Sequence, residues 1–79
     1  MARYQLTATV WREGEQYVSR CPELGVASCG DSPDDALEAL REAVELYLEN
    51  AKALGTLSDL EATLSARHRF STALEVSVQ

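Results

Sequence analysis

The strongest constraint on the fold is a long amphipathic segment between a helix-start signal and a glycine. Ser32 can cap the free amides of a first helical turn, and Pro33 suits the first helical position. Gly55 marks the other end of the segment. Between these ends, apolar residues recur at alternating spacings of three and four positions: Leu37, Leu40, Val44, Tyr47, Ala51 and Leu54. This row predicts one buried face of a long helix.

The residues before this helix alternate between apolar and polar side chains, which is typical of half-buried strands. We predict strands at residues 4–10, 16–21 and 26–29, with turns at residues 13–15 and 22–25. The second turn contains a proline, which cannot donate a hydrogen bond to a ladder. These segments predict an antiparallel sheet.

Two further elements are predicted after the long helix. Ser58 and Glu61 have the spacing of a capping box and indicate a short second helix to about Ala66. Residues 70–78 alternate again and predict a last strand. The expected fold is therefore α+β, with the order β-β-β-α-(α)-β and the long helix packed on one face of an antiparallel sheet. The 79 residues are enough for a single domain.

Acidic side chains limit the partners that this chain can bind. Thirteen Asp and Glu residues against seven Lys and Arg residues give a formal net charge of −6. Because nucleic-acid binding depends on clustered Lys and Arg side chains, we expect no direct binding to DNA. The charge suits a basic protein partner instead. The sequence has neither a membrane-spanning apolar run nor the apolar core of a signal peptide, so we predict a cytoplasmic protein.

Much of the negative charge falls on one side of the predicted helix. At about 100° per residue, the following glutamates lie on the side opposite Leu40: Glu38, Glu42, Glu45 and Glu49. Two interpretations remain open: a solvated back of the helix, or a negative surface that attracts a basic protein. Under the second interpretation, Glu23 and Asp31 are further candidate contacts.

The sequence contains no convincing catalytic or metal-binding set. His68 is the single histidine, and we can assign no nucleophile to it. Cys21 and Cys29 lack the further ligands that a zinc site requires, so we expect buried or half-buried thiols in a reducing compartment. The helix glutamates point away from the core, whereas two-metal hydrolysis needs inward carboxylates. We therefore predict neither an enzyme nor a cofactor.

A motif that joins a turn, a short strand and a helix start resembles a known family. Its parts, in chain order, are Pro22-Glu23-Leu24, Gly30-Asp31-Ser32, Asp35-Ala36-Leu37 and the helical stretch LREAVELYLE. The pattern is similar to that of the HicB-like antitoxins. The similarity covers roughly residues 4–54, about two thirds of the chain, while residues 56–69 match no pattern that we can name.

The resemblance implies a partial ribonuclease-H-like fold without the nuclease carboxylates. It also implies a function, which is to bind and mask a small basic toxin of the HicA type that cleaves messenger RNA with a histidine. Longer members carry a DNA-binding segment after the last strand, and this chain ends at Gln79, so we expect a single HicB-like domain without a DNA-binding domain. The open alternative is a stand-alone scaffold or small-ligand binding domain of the same fold without a toxin partner.

An open sheet leaves unpaired edges, which favour self-association. We predict a homo-oligomer, a dimer at least, built through a sheet edge or a flank of the helix. The candidate contacts are Ala39 and Leu46 on the helix, and Ser71, Ala73, Glu75 and Ser77 on the last strand. The alternative is that residues 56–69 cover this strand within the monomer.

Overall fold

A three-stranded antiparallel sheet, covered on one face by a long helix, forms the fold in the computed structural model, which describes residues 3–79. The elements are, in chain order, β1 (Thr9–Glu13), β2 (Gln16–Cys21), β3 (Val26–Gly30), α1 (Pro33–Ala53), a short 3₁₀ helix (Leu57–Leu60) and α2 (Glu61–Leu64). β2 pairs with both other strands and therefore lies in the centre of the sheet. The α+β class and the order of the elements from the first strand to the second helix are confirmed.

α1 begins and ends at the signals that the sequence contains. The Ser32 side chain accepts a hydrogen bond from the Asp35 amide at 3.0 Å, and Pro33 lies in the first turn. Gly55 follows the last turn with a φ of 77°, and its amide donates to the Lys52 carbonyl. A left-handed residue at this position stops a helix, because its amide pairs with a carbonyl that the helix leaves free.

α1 comes closest to the sheet at the end of β3. A Cβ atom built on Gly30 would lie 2.6 Å from the Ala36 nitrogen and 2.7 Å from the Asp35 carbonyl carbon, which is closer than real side chains approach. Ser19, on the neighbouring strand, is fully buried, and its hydroxyl donates to the Ala36 carbonyl oxygen at 2.8 Å. Small residues on both surfaces therefore fix the position of the helix on the sheet.

The buried face of α1 is smaller than the predicted row. Leu40 and Ala51 of the row are buried, together with Ala36. The prediction is wrong for the members that are exposed, which are Leu37, Tyr47 and Leu54. Strands of five or six residues span about 17–20 Å, while 21 helical residues span about 30 Å, so the last turns of α1 extend past the sheet. Leu37 is exposed for another reason, because it lies on the flank of α1.

β1 begins at Thr9, later than predicted, and continues to Glu13. The register pairs Thr9 with Arg20, so a longer ladder would place Thr7 opposite Pro22. Proline has no amide to donate, and Pro22 begins the turn that leads to β3. The chain before Thr9 therefore leaves the ladder, and residues 3–8, called here the lead-in segment, form no strand.

The chain after α1 is less regular than the sequence predicts. The predicted second helix is present as the 3₁₀ helix and α2, and it ends at Leu64 rather than near Ala66. Neither short helix has a side-chain hydrogen bond at its N-cap, so the predicted capping box of Ser58 and Glu61 is wrong. Glu61 instead accepts a hydrogen bond from the Ser65 hydroxyl at 3.0 Å.

The predicted last strand is not part of the sheet. The C-terminal tail (residues 70–78) pairs with no strand among residues 3–79, and each of its residues is exposed. Apolar–polar alternation indicates that one face of a segment is suited to burial, but it does not identify the surface that buries it. Among residues 3–79, no surface buries the tail, since all of its residues are exposed.

Replacing Gly30 with alanine should lower the free energy of unfolding by about 1–3 kcal/mol, because the added methyl group forces α1 away from β3. Urea denaturation followed by circular dichroism measures this change. Gly14→Asn is the control, since a Cβ at Gly14 has nothing within 4 Å and asparagine tolerates its φ of 61°. An unchanged free energy of unfolding in Gly30→Ala would contradict the close approach of helix and sheet.

Candidate functional site

Four glutamates form an exposed acidic ridge along α1. The ridge consists of Glu38, Glu42, Glu45 and Glu49. They occupy the side of the helix opposite Leu40, which is buried against the sheet. The packing of α1 therefore presents these carboxylates to solvent, where a partner can reach them.

One cation lies within the acidic ridge. Arg41 donates to both carboxylate oxygens of Glu38, at 2.9 and 2.7 Å. The hydrogen bond and charge of Glu38 raise the pKa of Arg41, and the charges of Glu45 and Glu42 raise it further. Within residues 3–79, this exposed pair is the single ion pair on α1. Most of the negative charge of the ridge is therefore not neutralised by a neighbouring cation.

An apolar groove of about 650 Å³ runs between α1 and the lead-in segment. Its lining includes Tyr4, Leu6, Leu37, Val44 and Leu48, together with Arg41 and Glu45 of the helix. The groove exists because α1 lies mainly over β3 and β2 and covers β1 only in part. The sequence does not reveal this groove, because the alternation over residues 4–10 predicts a longer strand at this place.

Glu23 is held within the fold by hydrogen bonds and is largely buried. Its carboxylate accepts hydrogen bonds from the Thr7 amide at 3.1 Å and from the Thr7 hydroxyl at 2.7 Å. The Nε atom of Arg69 lies 3.2 Å from the same carboxylate, and 12% of the Glu23 side chain is exposed. This contact is an ion pair without hydrogen-bond geometry, since Nε has no hydrogen-bond partner within residues 3–79. The candidate surface therefore consists of the helix glutamates without Glu23.

Arg69 joins distant parts of the chain. Its guanidinium donates to the Gln5 carbonyl in the lead-in segment, and to the carbonyls of Thr63 at 2.8 Å and Leu64 at 3.2 Å. Together with its contact to Glu23, these bonds connect the lead-in segment, the turn after β2 and the end of α2. The chain that follows α1 is therefore anchored against the start of the chain.

The surroundings of Glu23 favour its charged form. Burial raises the pKa of a carboxylate, but the hydrogen bonds from Thr7 and from its own backbone amide outweigh this effect, so the pKa of Glu23 lies below its ordinary value. Burial raises the pKa of the neighbouring Cys21 thiol, and Glu23, which accepts a hydrogen bond from this thiol at 3.5 Å, raises it further. Both effects favour the neutral thiol of Cys21.

The remaining predicted residues lie on three segments of the chain. Asp31 is exposed in the short connection between β3 and α1. On α1, Leu46 is exposed and Ala39 is half-buried. The four candidates in the tail are exposed with the rest of that segment: Ser71, Ala73, Glu75 and Ser77.

Cys21, Cys29 and His68 differ in their exposure to solvent. Both thiols are free; Cys21 is buried as predicted, whereas Cys29 is exposed and that prediction is wrong. His68 is exposed, with a φ of 56°. Among residues 3–79, no group of three or more His, Cys, Asp or Glu side chains is placed to hold a metal ion. In the same residues, we find no helix with the length and apolar character needed to cross a membrane.

The open face of the sheet carries a short apolar row that the sequence does not indicate. The strand registers align Trp11, Val18 and Cys29 across the sheet. Trp11 and Cys29 are exposed and Val18 is half-buried. The indole Nε1 of Trp11 donates to the Glu13 carboxylate at 3.1 Å. The row depends on the pairing register, which is not visible in any one strand.

Comparisons with known proteins identify no relative of this chain: no family model matches it, and no match is found among curated proteins or solved structures. The resemblance of its central motif to the HicB-like antitoxins therefore stays a prediction.

Replacing Glu23 with glutamine should lower the free energy of unfolding at neutral pH by about 1.5–3 kcal/mol, the range for hydrogen bonds to a charged group. Because the folded-state pKa of Glu23 is lowered, its contribution is complete above the unfolded-state pKa of about 4.3 and is lost as the pH falls through the folded-state value. Urea denaturation of both proteins over a series of pH values measures the difference.

Glu15→Gln is the matched control, since Glu15 is exposed in the turn between β1 and β2. Its free energy of unfolding should follow that of the unmodified protein at every pH. If the difference in the free energy of unfolding between Glu23→Gln and the unmodified protein stayed the same in acid, the role of the ionised carboxylate would be contradicted.

Proposed function

We propose that this protein is an antitoxin-like binding module that masks a small basic toxin of the HicA type, which cleaves messenger RNA. The observation that carries this proposal is the acidic ridge, in which four glutamates are exposed along one side of α1 with one cation among them. The motif similar to that of the HicB-like antitoxins supports the same function.

The charge of the ridge suits the basic surface of a ribonuclease. An enzyme that binds RNA places Lys and Arg side chains against the phosphates. Carboxylates on this protein can pair with those side chains and so exclude the RNA. The formal net charge of −6 adds a long-range attraction that speeds the encounter with a basic partner.

The rigidity of α1 also suits a binding surface. The distance along the helix from Glu38 to Glu49 is about 16 Å, at about 1.5 Å per residue. The helix backbone is fixed by the close contact of Gly30 with Ala36, and its first turn is capped by Ser32. A surface that is already ordered loses less conformational entropy when it binds.

Charge reversal of two ridge residues tests the proposal. The partner to be tested is a small, basic, histidine-containing protein from the neighbouring reading frame. The absence of such a reading frame would favour the stand-alone domain instead. Glu42→Lys combined with Glu49→Lys should slow association by on the order of 10-fold or more at low salt, because attraction becomes repulsion. Stopped-flow measurements at low and physiological salt give the association rate, and co-expression shows whether the variant still rescues cells from the toxin.

Glu15→Lys combined with Asp59→Lys is the matched control, because it changes the net charge equally at exposed positions outside the ridge. This control should keep the rescue and most of the association rate. Equal slowing by both double variants would assign the effect to net charge and not to the ridge. Failure of the unmodified protein to bind the partner or to rescue cells would reject the antitoxin function.

A stand-alone domain that binds a small ligand is a second candidate, and the apolar groove favours it. A volume of about 650 Å³ lies within the usual range of small-molecule sites. A ligand in this groove would raise the melting temperature of the protein, and Leu37→Gln would weaken that effect while the ridge variants would not. Under the antitoxin function, the ridge variants would weaken binding of the toxin, and Leu37→Gln would not.

A further inference from the structure

The tail (residues 70–78) exposes apolar side chains that the single chain does not cover. The exposed fractions are 91% for Phe70, 83% for Leu74, 74% for Val76 and 93% for Val78. All four occupy even-numbered positions, so they share one face when the chain is extended. Exposed apolar side chains that share one face in this way are typical of an interaction site.

β1 has an edge of suitable length that no strand covers. Within residues 3–79, β1 pairs with β2 on one side and with no strand on the other. Nine extended residues span about 30 Å, so the tail and residues 5–13, which comprise β1 and part of the lead-in segment, are of similar length. The unpaired amides and carbonyls of this edge are partners for an added strand.

The apolar groove lies beside β1 and can receive the apolar face of that strand. It is bounded by Leu6 of the lead-in segment and by Leu37 and Val44 of α1. At the opposite side of the sheet, α1 lies directly against β3 through Gly30. The β1 edge therefore offers both backbone pairing and apolar burial, and it is the edge that fits the tail.

The position of Arg69 directs the tail away from this edge of its own chain. Arg69 is held next to Glu23, which follows β2, and Phe70 and Ser71 line the same hollow as Pro22 and Glu23. The tail thus starts on the side of the lead-in segment that faces β2. To reach the free edge of its own β1, it would have to cross the lead-in segment. The free edge of a second molecule requires no such crossing.

We propose that the tail of one molecule adds as a fourth strand to the β1 edge of a second molecule, which returns its own tail in the same way. The exchange is reciprocal, so it forms a closed twofold dimer. Each apolar groove is then filled by the tail of the partner molecule, which leaves no room there for a small ligand. Of the ridge residues, Glu45 lines the groove, but the exchange involves no toxin, so the proposal does not depend on the proposed function.

A matched pair of full-length variants tests the exchange. Sedimentation equilibrium of the unmodified protein at micromolar concentration should give twice the chain mass of 8.7 kDa. Leu74→Glu should raise the dissociation constant of the dimer by on the order of 100-fold, because a leucine in each groove is replaced by a charge. Leu54→Glu makes the same change at a position that is 77% exposed and outside the contact, so it should leave the dissociation constant unchanged.

Nuclear magnetic resonance on a mixture of two differently labelled copies identifies which chain the tail pairs with. We expect contacts between the tail and β1 only between different copies, and slow hydrogen exchange of the tail amides. Contacts within one copy would overturn the proposal, because the tail would then complete its own sheet. A monomeric mass, fast exchange of the tail amides in a dimer, or equal weakening by both variants would overturn it as well.

Discussion

Because Gly30 has no side chain, the backbone of α1 passes over the end of β3 at a distance that no other residue would allow: a Cβ there would lie 2.6 Å from the Ala36 nitrogen. The buried hydroxyl of Ser19 holds the same turn of the helix through the Ala36 carbonyl. This contact sets both the rotation and the lateral position of α1. Its rotation buries Leu40 and turns the opposite glutamates outward, while its position over β3 and β2 leaves the apolar groove beside β1.

A second fixed point lies at the other end of the sheet, where Pro22 ends the ladder between β1 and β2. The Glu23 carboxylate replaces the missing ladder contact by accepting a hydrogen bond from the Thr7 amide. Arg69 contacts Glu23 and donates to the end of α2 and to the lead-in segment. The Glu23 charge is therefore used inside the fold, where it stabilises the folded chain. The contact of Arg69 with Glu23 also determines where the tail leaves the domain, and therefore which strand edges the tail can reach.

The sequence predicts the elements whose signals are local. Ser32, Pro33 and Gly55 define α1 well because capping and helix stops depend on a few neighbouring residues. The acidic ridge follows from helical periodicity alone. The sequence does not predict the role of Glu23, the late start of β1 or the apolar row at Trp11, because these depend on register and on contacts between residues far apart in the chain. The tail is a further example: its apolar–polar alternation predicts a strand, but the surface that buries this strand cannot be read from neighbouring residues.

We propose that α1, held by its contact with Gly30, presents the acidic ridge as the surface that binds a basic protein. The most direct test is to add the basic, histidine-containing partner to isotopically labelled protein and follow the amide chemical shifts. We expect the largest shifts within residues 38–49, on the ridge side of α1. Shifts confined to the open face of the sheet around Trp11 and Val18, with α1 unaffected, would contradict this proposal.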